Sequence, residues 1–217
     1  MRSRWFGLVV TAVAAAVSIW AYPRLPETVA THWNLQGQPD GYSSRFWSVA
    51  LIPVVILAVT GLFQVLPRLD PRHANYEKFL GVYWLIANGV LTFILVMHGL
   101  VLAAGLGYHV QIDRFAPVFV GLLLAFLGNY LTQVEPNWFV GIRTPWTLSS
   151  DRVWRKTHRT GGFLFVVGGL LIAASAFLLP RAAFLPVAIA TFVVVGLVPV
   201  VQSYVLWKAE QSRSGDA

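Results

Sequence analysis

The groups able to do chemistry are few in this chain, and they gather in two stretches. The first carries His32, Trp33, Asn34, Gly37, Pro39, Asp40 and Gly41. An imidazole, an amide and a carboxylate so close together could hold a cation or a ligand. One His and one Asp without metal-ligand spacing point instead to a loop that bonds to itself. Pro39-Asp40-Gly41 reads as a turn: Pro presets φ, Asp bonds its own backbone and Gly permits positive φ. Gly37 serves a second bend. The second stretch holds Asn129, then Asn137, Gly141, Arg143, Thr144 and Pro145, then Trp154, Thr157, His158 and Arg159. Pro145 biases Thr144 toward extended backbone. Ser149 or Ser150 then caps a short helix whose first turn contains Asp151. On that helix Asp151 and Arg155 are i,i+4 partners, as are Trp154 and His158. Val153 and Trp154 dip into a membrane interface, and Arg152, Arg155, Lys156 and Arg159 face water or lipid phosphate.

Catalysis has little support. Ser149, Asp151 and His158 share a loop, but no flanking signature orders them as a triad. The chain has no His-Glu-x-x-His, no Gly-x-Ser-x-Gly and no phosphate-cradling glycine loop. It has no cysteine, which excludes thiolate metal sites and cysteine nucleophiles. No catalytic residue, cofactor or metal ligand is expected. Asn88, His98 and Gln133 supply polarity within apolar runs, where such groups are functional candidates by default. Asn88 and His98 share a helix face but lie too far apart to touch. His98 is expected to bond a carbonyl or an Asn on another helix. The apolar runs contain no carboxylate, which argues against ion-coupled transport and leaves movement of a neutral solute open.

The elements that must position these residues are set by composition. Apolar residues make up 57% of the 217 and charged residues 12%, against about 25% charge in a soluble domain. The mean hydropathy is +0.65. So little polar surface cannot coat a water-soluble globule. Six apolar runs, 5–22, 46–66, 79–106, 115–134, 161–179 and 184–207, contain no Asp, Glu, Lys or Arg. Each is long enough to cross a bilayer core as a helix. They are too long, and alternate too little, for barrel strands. The expected fold is all-α: a polytopic membrane protein of six transmembrane helices, with an ordered extracytoplasmic loop at 23–45 and an amphipathic cytoplasmic loop at 135–160. Pro53, Pro186 and Pro199 fall inside spans. Gly161-Gly162 and Gly168-Gly169 recur two turns apart, which marks a face for close packing within the chain.

Arg and Lys in short loops fix orientation. Twelve (Arg2, Arg4, Arg68, Arg72, Lys78, Arg143, Arg152, Arg155, Lys156, Arg159, Lys208 and Arg213) fall on one side, and four (Arg24, Arg45, Arg114 and Arg181) on the other. Both termini are therefore expected in the cytoplasm, and the same split accounts for the net charge of +7 without direct nucleic-acid binding. The basic start and the Ala14-Ala15-Ala16 run resemble a cleavable signal. The apolar run continues through Trp20, which favours an uncleaved first helix.

With its spacing His-Trp-Asn-x-x-Gly-x-Pro-Asp-Gly, the loop from His32 to Gly41 resembles the domain of unknown function at the start of SdpI-like bacterial membrane proteins. Gly128-Asn129-Tyr130 and Asn137 to Gly162 are similar to the signature of the SdpI family itself. The resemblance implies a bacterial cytoplasmic-membrane protein that gives immunity to a secreted membrane-active antimicrobial peptide, with a cytoplasmic repressor recruited when that toxin is present. It divides the chain into 1–66, the first helix pair with its outer loop, and 67–217, a four-helix region with the inner loop. The lipid bilayer is the one partner that composition requires, and oligomeric state is not encoded. Two other readings stay open: a small-solute or lipid transporter using the polar groups of spans three and four, and an integral membrane enzyme using the cytoplasmic loop. On the expected topology, protease added to intact cells leaves an epitope after Ala217 uncut and reaches it only once the membrane is opened.

Overall fold

The computed structural model describes residues 5–34 and 36–215; Arg2 and Arg4, counted in the charge bias, lie outside them. Its helices are α1 (Phe6–Ala21), α2 (Arg45–Leu69), α3 (Tyr76–Gly105), α4 (Ile112–Leu131), α5 (Pro145–Ser149), α6 (Asp151–Leu178) and α7 (Arg181–Gly215). Two strands, β1 (Thr28–Trp33) and β2 (Pro39–Ser44), lie between α1 and α2. Among the described residues six helices are long and apolar enough to cross a membrane, α5 being the exception. Pro53 inside α2 and Pro186 and Pro199 inside α7 each remove one amide donor, yet both helices run through them.

The chain forms two compact units. One takes the residues up to Val65 together with Ala87–Phe119, and the other takes Leu66–Ile86 and the residues from Val120 onward. In the first unit α1 and α2 pack through Val10, Ala14 and Ile56 against Leu91 of α3. A second cluster joins Ala21, Leu25, Val29, Val49 and Leu102 and holds the base of the hairpin onto these helices.

Between α1 and α2 the chain forms a two-stranded antiparallel hairpin rather than an irregular loop. Its turn is not Pro39-Asp40-Gly41, which belongs to β2. Asn34 makes the turn instead. Its Oδ1 accepts from the Gln36 and Gln38 amides at 2.9 and 3.0 Å, and Gly37 adopts φ +74°. An Asx turn closed by a left-handed glycine competes well with a Pro-Asp-Gly turn, and here it wins because Pro39 onward pairs with β1. The register shifts on either side of His32. A Cβ on Gly41 would lie 2.8 Å from the His32 Cβ, so only glycine fits opposite that histidine.

In the second unit α6 and α7 form an antiparallel pair joined by Leu179 and Pro180. The two Gly-Gly pairs of α6 serve different neighbours. Gly162 and Gly169 meet Gly128 and Gly121 of α4, backbone against backbone. A Cβ on Gly128 would lie 2.7 Å from the Gly162 carbonyl oxygen, and one on Gly169 would lie 2.5 Å from the Ala125 nitrogen. Gly168 faces α7 at Thr191 and Val195, whereas Gly161 makes room for the Ile142 side chain of the segment between α4 and α6. With no hydrophobic drive between helices in lipid, such approaches recover dispersion contact that larger side chains would forfeit. Gly169→Ala should therefore destabilise the protein by about 1–3 kcal/mol. Gly81→Ala, at a position with open space around it, should leave the melting temperature in detergent unchanged. Equal melting of the two variants would contradict the seam.

Candidate functional site

The segment between α4 and α6 has little regular structure, so its peptide groups need partners from elsewhere. Asn137 supplies many of them. It is fully buried. Its Nδ2 donates to the carbonyls of Glu135 and Val140 at 2.9 and 2.8 Å. Its Oδ1 accepts from the amides of Phe139 and Val140 at 2.8 and 2.6 Å and from the Tyr76 hydroxyl at 3.4 Å. One side chain thus does for this bend what water does for a solvated loop.

A second buried group, Asp70, ties the connection between α2 and α3 to the same bend. It is 2% exposed, and its carboxylate accepts from the Trp138 and Arg72 amides and from the Tyr76 hydroxyl at 2.8–2.9 Å. Tyr76 is aimed by packing, its ring 5.1 and 5.2 Å from those of Phe79 and Tyr83. Around this pair Asn75 donates to the Pro136 carbonyl at 2.8 Å. Arg72 reaches the Asp151 carboxylate at 2.7 Å and the Leu148 carbonyl at 3.0 Å. Asp151 therefore pairs with Arg72, not with Arg155 as helix spacing predicts. A long guanidinium that also finds a backbone carbonyl makes a better fork than an exposed i,i+4 neighbour.

The far side of the bend rests on α6. His158 donates through Nδ1 to the Trp154 carbonyl at 2.9 Å, so its Nε2 is free of a proton and accepts the Ile142 amide at 3.0 Å. The two rings stack as i,i+4 spacing predicts, with centroids 4.0 Å apart, and the Trp154 Nε1 donates to the Val134 carbonyl at 2.8 Å. Val153 and Trp154 are buried in protein rather than dipping into an interface, because this network requires the indole. Gly141, at φ +119°, lies where a Cβ would strike the His158 Nε2; both its backbone and its missing side chain are needed. With both ring nitrogens committed to backbone, and the Ser149 hydroxyl donating to the Trp146 carbonyl, His158 and Ser149 form no nucleophile–base pair.

Thr144 is extended, as Pro145 requires, and caps α5 in a reciprocal box with Thr147. Its hydroxyl lies 3.0 Å from that of Ser203 on α7. Ser150 caps α6. No break separates this amphipathic turn from the fifth span: Gly161 and Gly162 continue the helix, with the Ile142 side chain and the Gly128 backbone filling the space their side chains would take. Thr157 is buried. Arg143, which donates to the Trp138 carbonyl at 2.9 Å, Arg159, Pro145, Asn129 and Gln133 are exposed. The structure thus joins Asn137, Gly141, Thr144, Trp154 and His158 in one network and leaves Asn129 and Gln133 outside it.

The other sequence candidates fall in the first unit. His32 Nδ1 and Asp40 Oδ1 are 2.5 Å apart in an exposed pair on the hairpin. His98 meets the Ser18 hydroxyl of α1 at 2.8 Å, neither a carbonyl nor an Asn as expected, because α1 offers a buried hydroxyl at that level. Asn88 is half-buried on α3, where its carbonyl accepts from Thr92 at 2.8 Å. Sequence reasoning missed Asp70, Arg72, Asn75, Tyr76 and Ser203. One signal was available: a carboxylate immediately before Pro71, in the short connection after the second apolar run. Asn137→Ala strips partners from several buried peptide groups and should cost about 3 kcal/mol or more. Melting in detergent, with faster amide exchange at Phe139 and Val140, is the check.

Comparison with known proteins follows the same geography. Residues 133–203, which hold the bend, α5, α6 and α7 as far as Ser203, match the SdpI/YfhL protein family. Residues 9–57, which hold α1, the hairpin and half of α2, match a domain of unknown function, DUF1648. Immunity protein SdpI of Bacillus subtilis (strain 168) is 29% identical over 177 residues, 82% of this chain and 83% of that protein. No solved structure matches the chain. The chain is accordingly a multi-pass membrane protein similar to SdpI, with its match to DUF1648 preceding its match to the SdpI/YfhL family.

Proposed function

We propose that the protein confers immunity to a secreted membrane-active peptide and signals the presence of that peptide to a cytoplasmic repressor. The observation that carries this reading is the likeness to Immunity protein SdpI over 82% of the chain, beside the two family matches that cover the two loop regions. In this reading the protein sits in the bacterial cytoplasmic membrane with both termini inside. Residues 1–66 form the outward-sensing part and residues 67–217 the inward-reporting part.

The hairpin offers the peptide an exposed His32–Asp40 pair flanked by Trp33 and by the exposed rings of Tyr42 and Trp47, groups that suit an amphipathic ligand lying at a lipid surface. Asn34, Gly37, Pro39 and Gly41 hold its shape. On the inner side, Trp138 and the guanidiniums of Arg143 and Arg159 lie exposed above the Asn137 network. Aromatic and Arg side chains on a rigid support are the usual anchors of a protein contact, and here they would receive the repressor. Thr144, Pro145, Trp154, Thr157 and His158 keep that surface in place.

Expression of the protein should protect a sensitive bacterium against at least one amphipathic peptide in a broad panel. Arg143→Ala and His32→Ala should each lower protection about tenfold at equal protein level, with unchanged melting because both side chains are exposed. Absence of protection across the panel would sink the proposal.

A further inference from the structure

A cleft opens between the first turns of α6 and the last turns of α7, with a volume of about 110 Å³. Arg152 and Lys156 line it from α6 and Arg213 from α7. Val153, Leu206 and Ala209 form its floor, and Glu210 supplies its one acidic side chain. Three cations against one carboxylate leave a formal charge of +2. The cleft borders the amino-terminal turn of α6, whose dipole also favours an anion. The volume suits one small anionic group rather than a length of polypeptide.

The depth of the cleft identifies the source of that anion. Trp146, Tyr204 and Trp207 form an aromatic run, with Trp146 and Tyr204 centroids 5.1 Å apart and Tyr204 and Trp207 centroids 6.5 Å apart. Such rings settle where hydrocarbon gives way to headgroups. Leu206 lies between Tyr204 and Trp207 in sequence, so the apolar floor of the cleft starts at headgroup level and its cations follow on the polar side. Below that level the exposed side chains of α6 and α7 are apolar, Phe163 and Val201 among them. A soluble anion gains nothing from that arrangement, whereas a phospholipid fills both halves of it.

We infer that this cleft binds the phosphate of an anionic phospholipid, held by Arg152, Lys156 and Arg213 with its glycerol end against Leu206 and Ala209. The site is independent of the immunity reading and would persist if that reading failed.

Native mass spectrometry of the full chain in neutral detergent, titrated with phosphatidylglycerol, tests the inference. One adduct should saturate, about tenfold tighter than phosphatidylcholine, whose choline meets a positive cleft. Replacing Arg152, Lys156 and Arg213 together by Gln should weaken it about tenfold or more, and Lys156→Gln alone about threefold. The single variant keeps the test decisive should the triple fail to fold. Glu210→Gln should tighten binding. Replacing Arg68, Arg155 and Lys208 by Gln removes equal charge outside the cleft and should change affinity by less than about threefold. An equal loss in that control, equal binding of phosphatidylcholine, or inorganic phosphate binding as tightly as phosphatidylglycerol would each overturn the inference.

Discussion

A polypeptide beside a bilayer must satisfy its own peptide groups, and in this protein the irregular bend between α4 and α6 depends on one fully buried amide to do so. Asn137 accepts from two amides and a phenol and donates to two carbonyls. Asp70 completes the arrangement from another connection by taking the Trp138 amide. Substituting either would leave several buried partners without a bond, and that cost exceeds the worth of the bonds themselves. The consequence is a bend that is rigid without regular structure. It forms a platform on which α5, the α6 cap and the exposed Arg143 all have fixed places.

Close helix packing supports this platform. The contacts of Gly162 with Gly128 and of Gly169 with Gly121 bring α4 and α6 together along two turns, Gly168 brings α6 against α7, and Gly161 seats the Ile142 side chain of the bend. Helices in lipid gain their association from such fits. The seam therefore also fixes how far Trp154 and His158 stand from the bend they hold. Gly141 shows the coupling at its tightest, since a side chain there would displace the very ring nitrogen that receives the Ile142 amide.

The spans were legible because apolar length is a one-dimensional property, and six runs gave six helices. Glycine pairs likewise announced a packed face, and Pro145 announced the extended Thr144. What escaped was every feature that depends on a partner distant in sequence. Pro39-Asp40-Gly41 has strong turn chemistry, yet strand pairing absorbed it and Asn34 with Gly37 turned the chain. Asp151 had a helical neighbour of opposite charge but found Arg72 instead. Trp154 looked interfacial by residue type, and only the Val134 carbonyl explains its burial. Asp70 was not singled out, because its place before Pro71 does not reveal a carboxylate that accepts three bonds.

The same network explains why the segment between α4 and α6 is so particular in Asn, Thr, Trp and His when a simple anchor would need only charge. Polar side chains turned inward (Asn137, Thr144, Thr147, His158) are each committed to backbone at 2.6–3.1 Å, and so they specify shape. Cationic side chains on the same elements (Arg143, Arg152, Arg155, Lys156, Arg159) are turned outward, and so they are available for contact. Shape and contact are thus assigned to different residues of one segment. An outward Arg can change without unfolding the bend, whereas an inward Asn cannot. Surface charge can therefore diverge to suit a new partner while the buried polar set is held constant, and the separation follows from desolvation cost alone.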